Sequence, residues 1–114
     1  MRQDGRVSLW LGNIATESSL DTYLGEGFPR DFGFLIKPRC EPEYAIGPPK
    51  GIAELVSRAF GARQWSAQAV EMAASQGWVE ATTAVVFHAF AYERALIVNE
   101  RAPLFFLGVV DFGG

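Results

Sequence analysis

Apolar and polar residues alternate near the start of the chain, and a second apolar segment lies near its end. Apolar side chains occupy every second position, a period typical of a strand with one buried face: Val7, Leu9 and Leu11. The alternation places Trp10 on the opposite, outer side of that strand. Residues 103–112 form the second apolar segment. We expect both segments to be strands of one sheet, which would bring the two ends of the chain together.

Further strands are predicted in the interior of the chain. Residues 82–92 are rich in β-branched and aromatic side chains on both alternating sides, which favours a central strand. Residues 32–37 are compatible with a short strand. Residues 95–98 extend a hairpin or form a short strand of their own. Glycine and proline interrupt the rest of residues 25–50, so we expect a loop there that packs on the core.

Helical spacing of apolar residues predicts three helices. The first covers about residues 16–24, with Thr16 as its N-cap and Gly25 as its stop. The second covers residues 52–60, where one apolar stripe recurs at helical spacing. The third covers about residues 64–76. These elements together predict an α+β fold.

The expected architecture is a single domain over residues 1–114. It would contain a sheet of three to five mostly antiparallel strands, with two to three helices packed on one face. A chain of 114 residues suits one domain, and its 49% hydrophobic content is enough for a single core.

Charge and cysteine content narrow the classes of function. A formal net charge of −3 disfavours a nucleic-acid binder, which normally presents a basic face. The apolar runs fall well short of the roughly 20 residues that a membrane-spanning helix needs. The single cysteine, Cys40, cannot form an internal disulfide. We therefore expect a cytoplasmic protein with neither a nucleic-acid nor a membrane partner.

The residues that could carry chemistry do not form a recognisable catalytic or metal-binding set. His88 is the only histidine and lies in the middle of a predicted strand, so we expect a structural role. Cys40 would need a positioned base to act as a nucleophile. Asp31, Glu41 and Glu43 are expected to be solvated, or else to contact a basic partner. No glycine-rich phosphate-binding motif is present. We predict no cofactor, no metal and no enzyme activity.

An ordered set of motifs resembles the immunity protein 22 family of bacterial polymorphic toxin systems. The matching segments cover nearly the whole chain in patches: Val7-Ser8-Leu9-Trp10-Leu11-Gly12-Asn13, Leu20 to Leu24, Phe28 to Phe34 around Asp31-Phe32-Gly33, Val85 to Tyr92, and Leu104 to Val110 with its closing Phe106-Leu107-Gly108. The chain departs from the family after Asp31-Phe32-Gly33. An aspartate-rich stretch is typical there, whereas this chain has Arg39-Cys40-Glu41-Pro42-Glu43-Tyr44.

The resemblance implies a small cytoplasmic protein that binds and neutralises a cognate toxin of unspecified activity. An inhibitor of this kind needs a contact surface of about 800 Å² per partner and no reactive group. We expect a monomer or weak homodimer. We expect the contact face to include acidic and aromatic residues, namely Asp31, Glu41, Glu43, Tyr44, Trp78 and Glu80.

Two other classes of function remain open. A small-molecule-binding or regulatory module would need a pocket between helices and sheet, lined by aromatic residues such as Trp65, Phe87 and Phe90. An enzyme would need His88 and Cys40 to converge with Glu41 or Glu43 within hydrogen-bond reach.

Overall fold

The computed structural model describes residues 2–14, 16–33, 42–59, 61–99 and 102–111. Four antiparallel strands form one sheet in the spatial order β2-β3-β1-β4: β1 (Arg2–Gly12), β2 (Glu43–Gly51), β3 (Glu80–Phe90) and β4 (Leu104–Asp111). The helical elements are α1 (Glu17–Thr22), a π-helical turn (Tyr23–Gly27), α2 (Phe28–Phe32), α3 (Ile52–Leu55), α4 (Ala62–Ser75) and a short 3-10 helix (Arg94–Leu96). The predicted α+β class is confirmed.

The two ends of the chain pair with each other in the sheet, as predicted. Along β1 and β4, Trp10 lies opposite Phe106 and Gly12 lies opposite Leu104. The register shifts between Leu9 and Trp10, which leaves Leu107 as an extra residue on β4. This irregularity is a β-bulge, a feature that is common on edge strands.

The sheet carries a buried core on each of its faces, because its two central strands are apolar on both sides. On one face, side chains such as Leu9 and Val86 pack with Trp65 of α4. On the other face, Trp10 and Phe87 pack with α1 and α2. The expectation that all helices lie on one face is therefore not met. Helices cover both faces, as the apolar residues on both sides of β3 require.

The N-terminal helical segment begins as predicted but continues past its expected end. The backbone N–H of Ser19 donates to the Thr16 hydroxyl at 3.2 Å, which confirms the N-cap. Gly25 does not stop the helix, because the chain continues through the π-helical turn into α2. The segment ends at Gly33, whose φ of +74° is the left-handed conformation typical of a helix C-cap.

The segment after β2 contains much less helix than its apolar stripe predicts. Helix α3 has a single turn, and the chain then turns through Val56. The Ser57 hydroxyl donates to the backbone oxygen of Glu54 at 2.7 Å, a local bond that competes with continued helix.

The structure differs from three further expectations: the loop over residues 25–50, the strand over residues 32–37 and the hairpin or strand over residues 95–98. The end of the predicted loop over residues 25–50 is the strand β2, with Pro48 and Pro49 at an irregularity of its pairing with β3. Phe32 belongs to α2 rather than to a strand, and residues 34–37 lie outside the described residues. The 95–98 segment begins in the 3-10 helix.

Side chains bond the backbone of two residues of the edge strand β4, Leu107 and Asp111. The Leu107 carbonyl accepts from Gln76 Nε2 at 2.9 Å and from Arg94 Nη2 at 3.1 Å. The Gln68 side-chain amide donates to the Asp111 backbone oxygen and accepts from its N–H, at 3.2 and 3.3 Å. Backbone groups bonded in this way are not available to a further strand.

Candidate functional site

Two of the predicted contact residues lie side by side on the edge strand β2 and remain exposed. Because successive strand residues point to opposite faces, Glu43 shares a face with Val86, and Tyr44 lies on the other face. The Glu43 carboxylate is 2.6 Å from Nε2 of His88, one position further along β3 on the same face. This pair fixes the Glu43 side chain across the strands.

Tyr44 is held on the opposite face by the first turn of α1. Its hydroxyl donates to Oε1 of Glu17 at 2.7 Å. This hydrogen bond, followed by partial desolvation and the charges of Asp21 and Glu17, raises the pKa of Tyr44 to about 12. The phenol is therefore a neutral donor at physiological pH. We call Glu17, Asp21, Glu43 and Tyr44 the β2 surface.

An open cleft lies beside the β2 surface, on the face that also carries α3 and α4. It has a volume of about 260 Å³. Two exposed charged residues of its lining mark its mouth: Glu43 and, from the turn after α3, Arg58. Its floor consists of core side chains of α3 and β3, so the cleft ends on the hydrophobic interior.

Asp31 is buried, which differs from the exposed position that a contact role requires. Its side chain is 1% exposed. The carboxylate accepts from the Tyr23 hydroxyl at 2.7 Å, from Arg30 Nε at 3.2 Å and from Asn99 Nδ2 at 3.2 Å. Its backbone oxygen also accepts from the N–H groups of Val98 and Asn99. Asp31 therefore joins α2 to the segment after the 3-10 helix.

The hydrogen bonds of Asp31 determine its ionisation. Burial alone would raise the pKa of its carboxyl group, but donation from Tyr23, Arg30 and Asn99 outweighs burial and holds that pKa below its ordinary value. Burial, and then the neighbouring carboxylate, raise the pKa of Tyr23. The pair is thus a tyrosine donor bonded to an ionised carboxylate.

The remaining predicted contact residues do not join the β2 surface. Trp78 is half-buried, with its ring centroid 5.7 Å from that of Phe105. Glu80 is exposed where β3 begins, whereas Glu43 pairs with Val86, about 20 Å further along that strand at the usual rise per residue. Glu41 lies outside the described residues.

The structure bears on both alternative classes of function. Trp65 and Phe87 belong to cores on opposite faces of the sheet, so they do not line one pocket. The ring centroid of Phe90 lies 5.5 Å from that of Phe87, so Phe90 packs on the Phe87 side of the sheet and does not line a pocket with Trp65. For the enzyme hypothesis, His88 and Glu43 do converge, but Cys40 and Glu41 lie outside the described residues.

Sequence reasoning missed Glu17, Asp21 and Arg58 as neighbours of the predicted contact residues. These residues become neighbours of Glu43 and Tyr44 only because the segment forms the strand β2. The prolines in that segment had argued against a strand. Within the described ranges, no group of three or more His, Cys, Asp or Glu residues is arranged to hold a metal ion. Among the same residues, no helix is long and apolar enough to cross a bilayer.

Comparisons with protein-family models, curated proteins and solved structures found no match for this chain. The resemblance to the immunity protein 22 family therefore stays a prediction that rests on the motifs quoted above.

Proposed function

We propose that this protein is a toxin-neutralising immunity protein that binds a cognate bacterial toxin through the β2 surface. The motif resemblance supplies the class of function. The structural observation that supports it most is that Glu43 and Tyr44 stay exposed on an edge strand while hydrogen bonds hold both side chains in place. Side chains ordered before binding lose little conformational freedom on association, so more of the contact energy becomes affinity.

The chemistry of the β2 surface favours a basic partner. It presents one tyrosine with the carboxylates of Glu17 and Asp21 on the α1 side of β2, and the Glu43 carboxylate on the other side of that strand. Tyrosine is among the residue types enriched at protein interfaces. Complementary charge would speed the encounter with a cationic toxin surface, and added salt would slow it. The net charge of −3 acts in the same direction.

The first test asks whether the chain neutralises a toxin at all. The product of the adjacent reading frame is the first candidate toxin. We expect co-expression to relieve its toxicity, and the purified pair to associate with a dissociation constant below about 1 μM. Absence of association at micromolar concentration, measured by titration calorimetry, would count decisively against the immunity role.

The second test locates the contact face. Tyr44→Ala should weaken toxin binding at least about tenfold, as removal of an interface anchor does, and Glu17→Gln should weaken it less. Glu71→Gln is the matched control, because Glu71 is exposed on α4, away from β2. Wild-type affinity in both β2-surface variants would place the interface elsewhere and leave the immunity role standing.

A further inference from the structure

The cleft beside α3 has the properties of a small-ligand site. We propose that it binds a small carboxylate with a compact apolar body, a function that does not depend on toxin neutralisation.

The floor is apolar and firmly held. It includes Leu55, Val56 and Val86, which are between 2% and 4% exposed and belong to the core under α3 and α4. Close-packed core side chains do not move aside or close over the space easily. The cleft is therefore preformed, as most small-molecule sites are.

The cleft is open because the elements around it place small side chains there. Ala45 of β2 lies directly opposite Ala84 of β3, and Ala59 lines the cleft from the turn after α3. Because α3 ends at Leu55, it has no second turn to cover this part of the sheet. A larger side chain at one of these alanines would occupy the space.

Among the described residues, the lining of the cleft carries one cation without an ion pair. Arg58 is exposed there and forms no ion pair with any carboxylate in the described part of the chain. The carboxylate of Glu43, also at the mouth, is hydrogen-bonded to His88. A guanidinium group binds a carboxylate with two parallel hydrogen bonds. Arg58 is the one cation among the described residues of the lining, and the Glu43 carboxylate is already engaged by His88, so the cleft suits a monoanion with an apolar body better than a phosphate.

The volume sets the size of the ligand. At about 260 Å³ the cleft lies just below the range of roughly 300–1,000 Å³ that holds drug-sized molecules. Phenylacetate is a suitable probe, since it joins one carboxylate to one ring. Phenylacetamide has the same shape without the charge, and phenethylamine reverses the charge.

Protein-observed NMR titration tests the proposal with these three probes. We expect saturable phenylacetate binding with shifts at Ala84 and Val86, phenylacetamide to bind at least about tenfold more weakly, and phenethylamine not to bind. Arg58→Gln should reduce phenylacetate affinity to the level of the amide, whereas Arg63→Gln, an exposed change on α4, should not. Ala45→Phe should abolish binding because its ring fills the cleft. If Ala45→Phe does not fold, Ala59→Leu is used to fill the cleft instead.

Three results would overturn the proposal: no phenylacetate binding at millimolar concentration, equal binding of acid and amine, or unchanged binding in the folded cleft-filling variant. None of them bears on toxin association, which is measured with a different molecule. Conversely, a failed toxin assay leaves the probe titration unaffected.

Discussion

Trp10 is the centre of the aromatic core between the sheet and α2. Its ring centroid lies between 4.8 and 5.5 Å from those of five other aromatic rings: Phe28, Phe32, Phe87, Tyr92 and Phe106. Most of these contacts are edge-on or tilted, the arrangement that aromatic quadrupoles prefer. Truncation of a large buried ring typically lowers stability by about 3–5 kcal/mol. The conspicuous Trp-Leu-Gly motif therefore has a structural role of its own.

At Asp31, the structure predicts a pH-dependent contribution to stability. Asp31→Asn should destabilise the fold by about 1–3 kcal/mol at neutral pH, because buried donors lose a charged acceptor. A carboxyl group whose folded pKa is depressed contributes stability above its unfolded pKa of 3.8, and this contribution is lost as pH falls through the folded pKa. The difference between wild type and variant should therefore shrink below about pH 4.

Urea unfolding at neutral and at acidic pH measures this difference. Asp21→Asn is the control, since Asp21 is an exposed carboxylate on the neighbouring α1. A difference for Asp31→Asn that stays constant down to about pH 2 would show that the charge of Asp31 is not what stabilises the segment.

At the scale of single elements, Gly108 allows α4 to lie close to β4. A Cβ atom at this position would stand 2.3 Å from Met72 Sδ, and the φ of +151° is one that other residues rarely adopt. Gly108→Ala should therefore lower the free energy of unfolding by about 2 kcal/mol. Met72→Ala in the same chain should recover part of that loss, because it removes the obstructing atoms.

A double-mutant cycle checks this coupling. Gly77→Ala is the matched control, since Gly77 also has a positive φ, of +84°, but nothing lies within 4 Å of its added Cβ. Its effect is backbone strain alone and should not change with Met72→Ala. Strictly additive losses for Gly108→Ala and Met72→Ala would show that strain, not close approach, selects glycine in the Phe-Leu-Gly motif.

The elements that the sequence predicts well are those determined by local pattern. Alternation predicted β1, an apolar segment predicted β4, and a hydroxyl before an acidic residue predicted the cap at Thr16. The elements predicted poorly depend on distant contacts. Glycine is common at helix ends, so Gly25 was expected to stop the helix. The helical segment nevertheless continues to Phe32, because Phe28 and Phe32 pack against Trp10.

The candidate site was only partly predictable for the same reason. Glu43 and Tyr44 could be selected from composition, but their fixing partners stand 45 and 27 positions away in the chain. Asp31 looked like a loop acid because the helix was expected to end before it. Its tyrosine partner, eight residues earlier, becomes a neighbour only when the helix continues.

At the scale of the whole molecule, the side-chain bonds to the edge strand β4 predict resistance to self-association. Changing Gln68 and Gln76 together to Ala should free the backbone groups of Asp111 and leave the Leu107 carbonyl with only its bond from Arg94. Unpaired edge groups are templates for another strand, so we expect a larger associated fraction at high protein concentration, measured by sedimentation velocity.

Gln64→Ala is the control for this experiment, since Gln64 is exposed on α4 and away from the bonded groups. An unchanged sedimentation profile in the double variant, with its fold verified by circular dichroism, would mean that the amides do not protect the edge.

The two cores on opposite faces of the sheet also affect which amino-acid substitutions such a protein can accumulate during evolution. The backbone plane of β1 and β3 separates them, so substitutions beneath α1 and substitutions beneath α4 should combine without mutual penalty. Substitutions on the side that carries Glu17 and Asp21 can then accumulate without disturbing the core beneath α4.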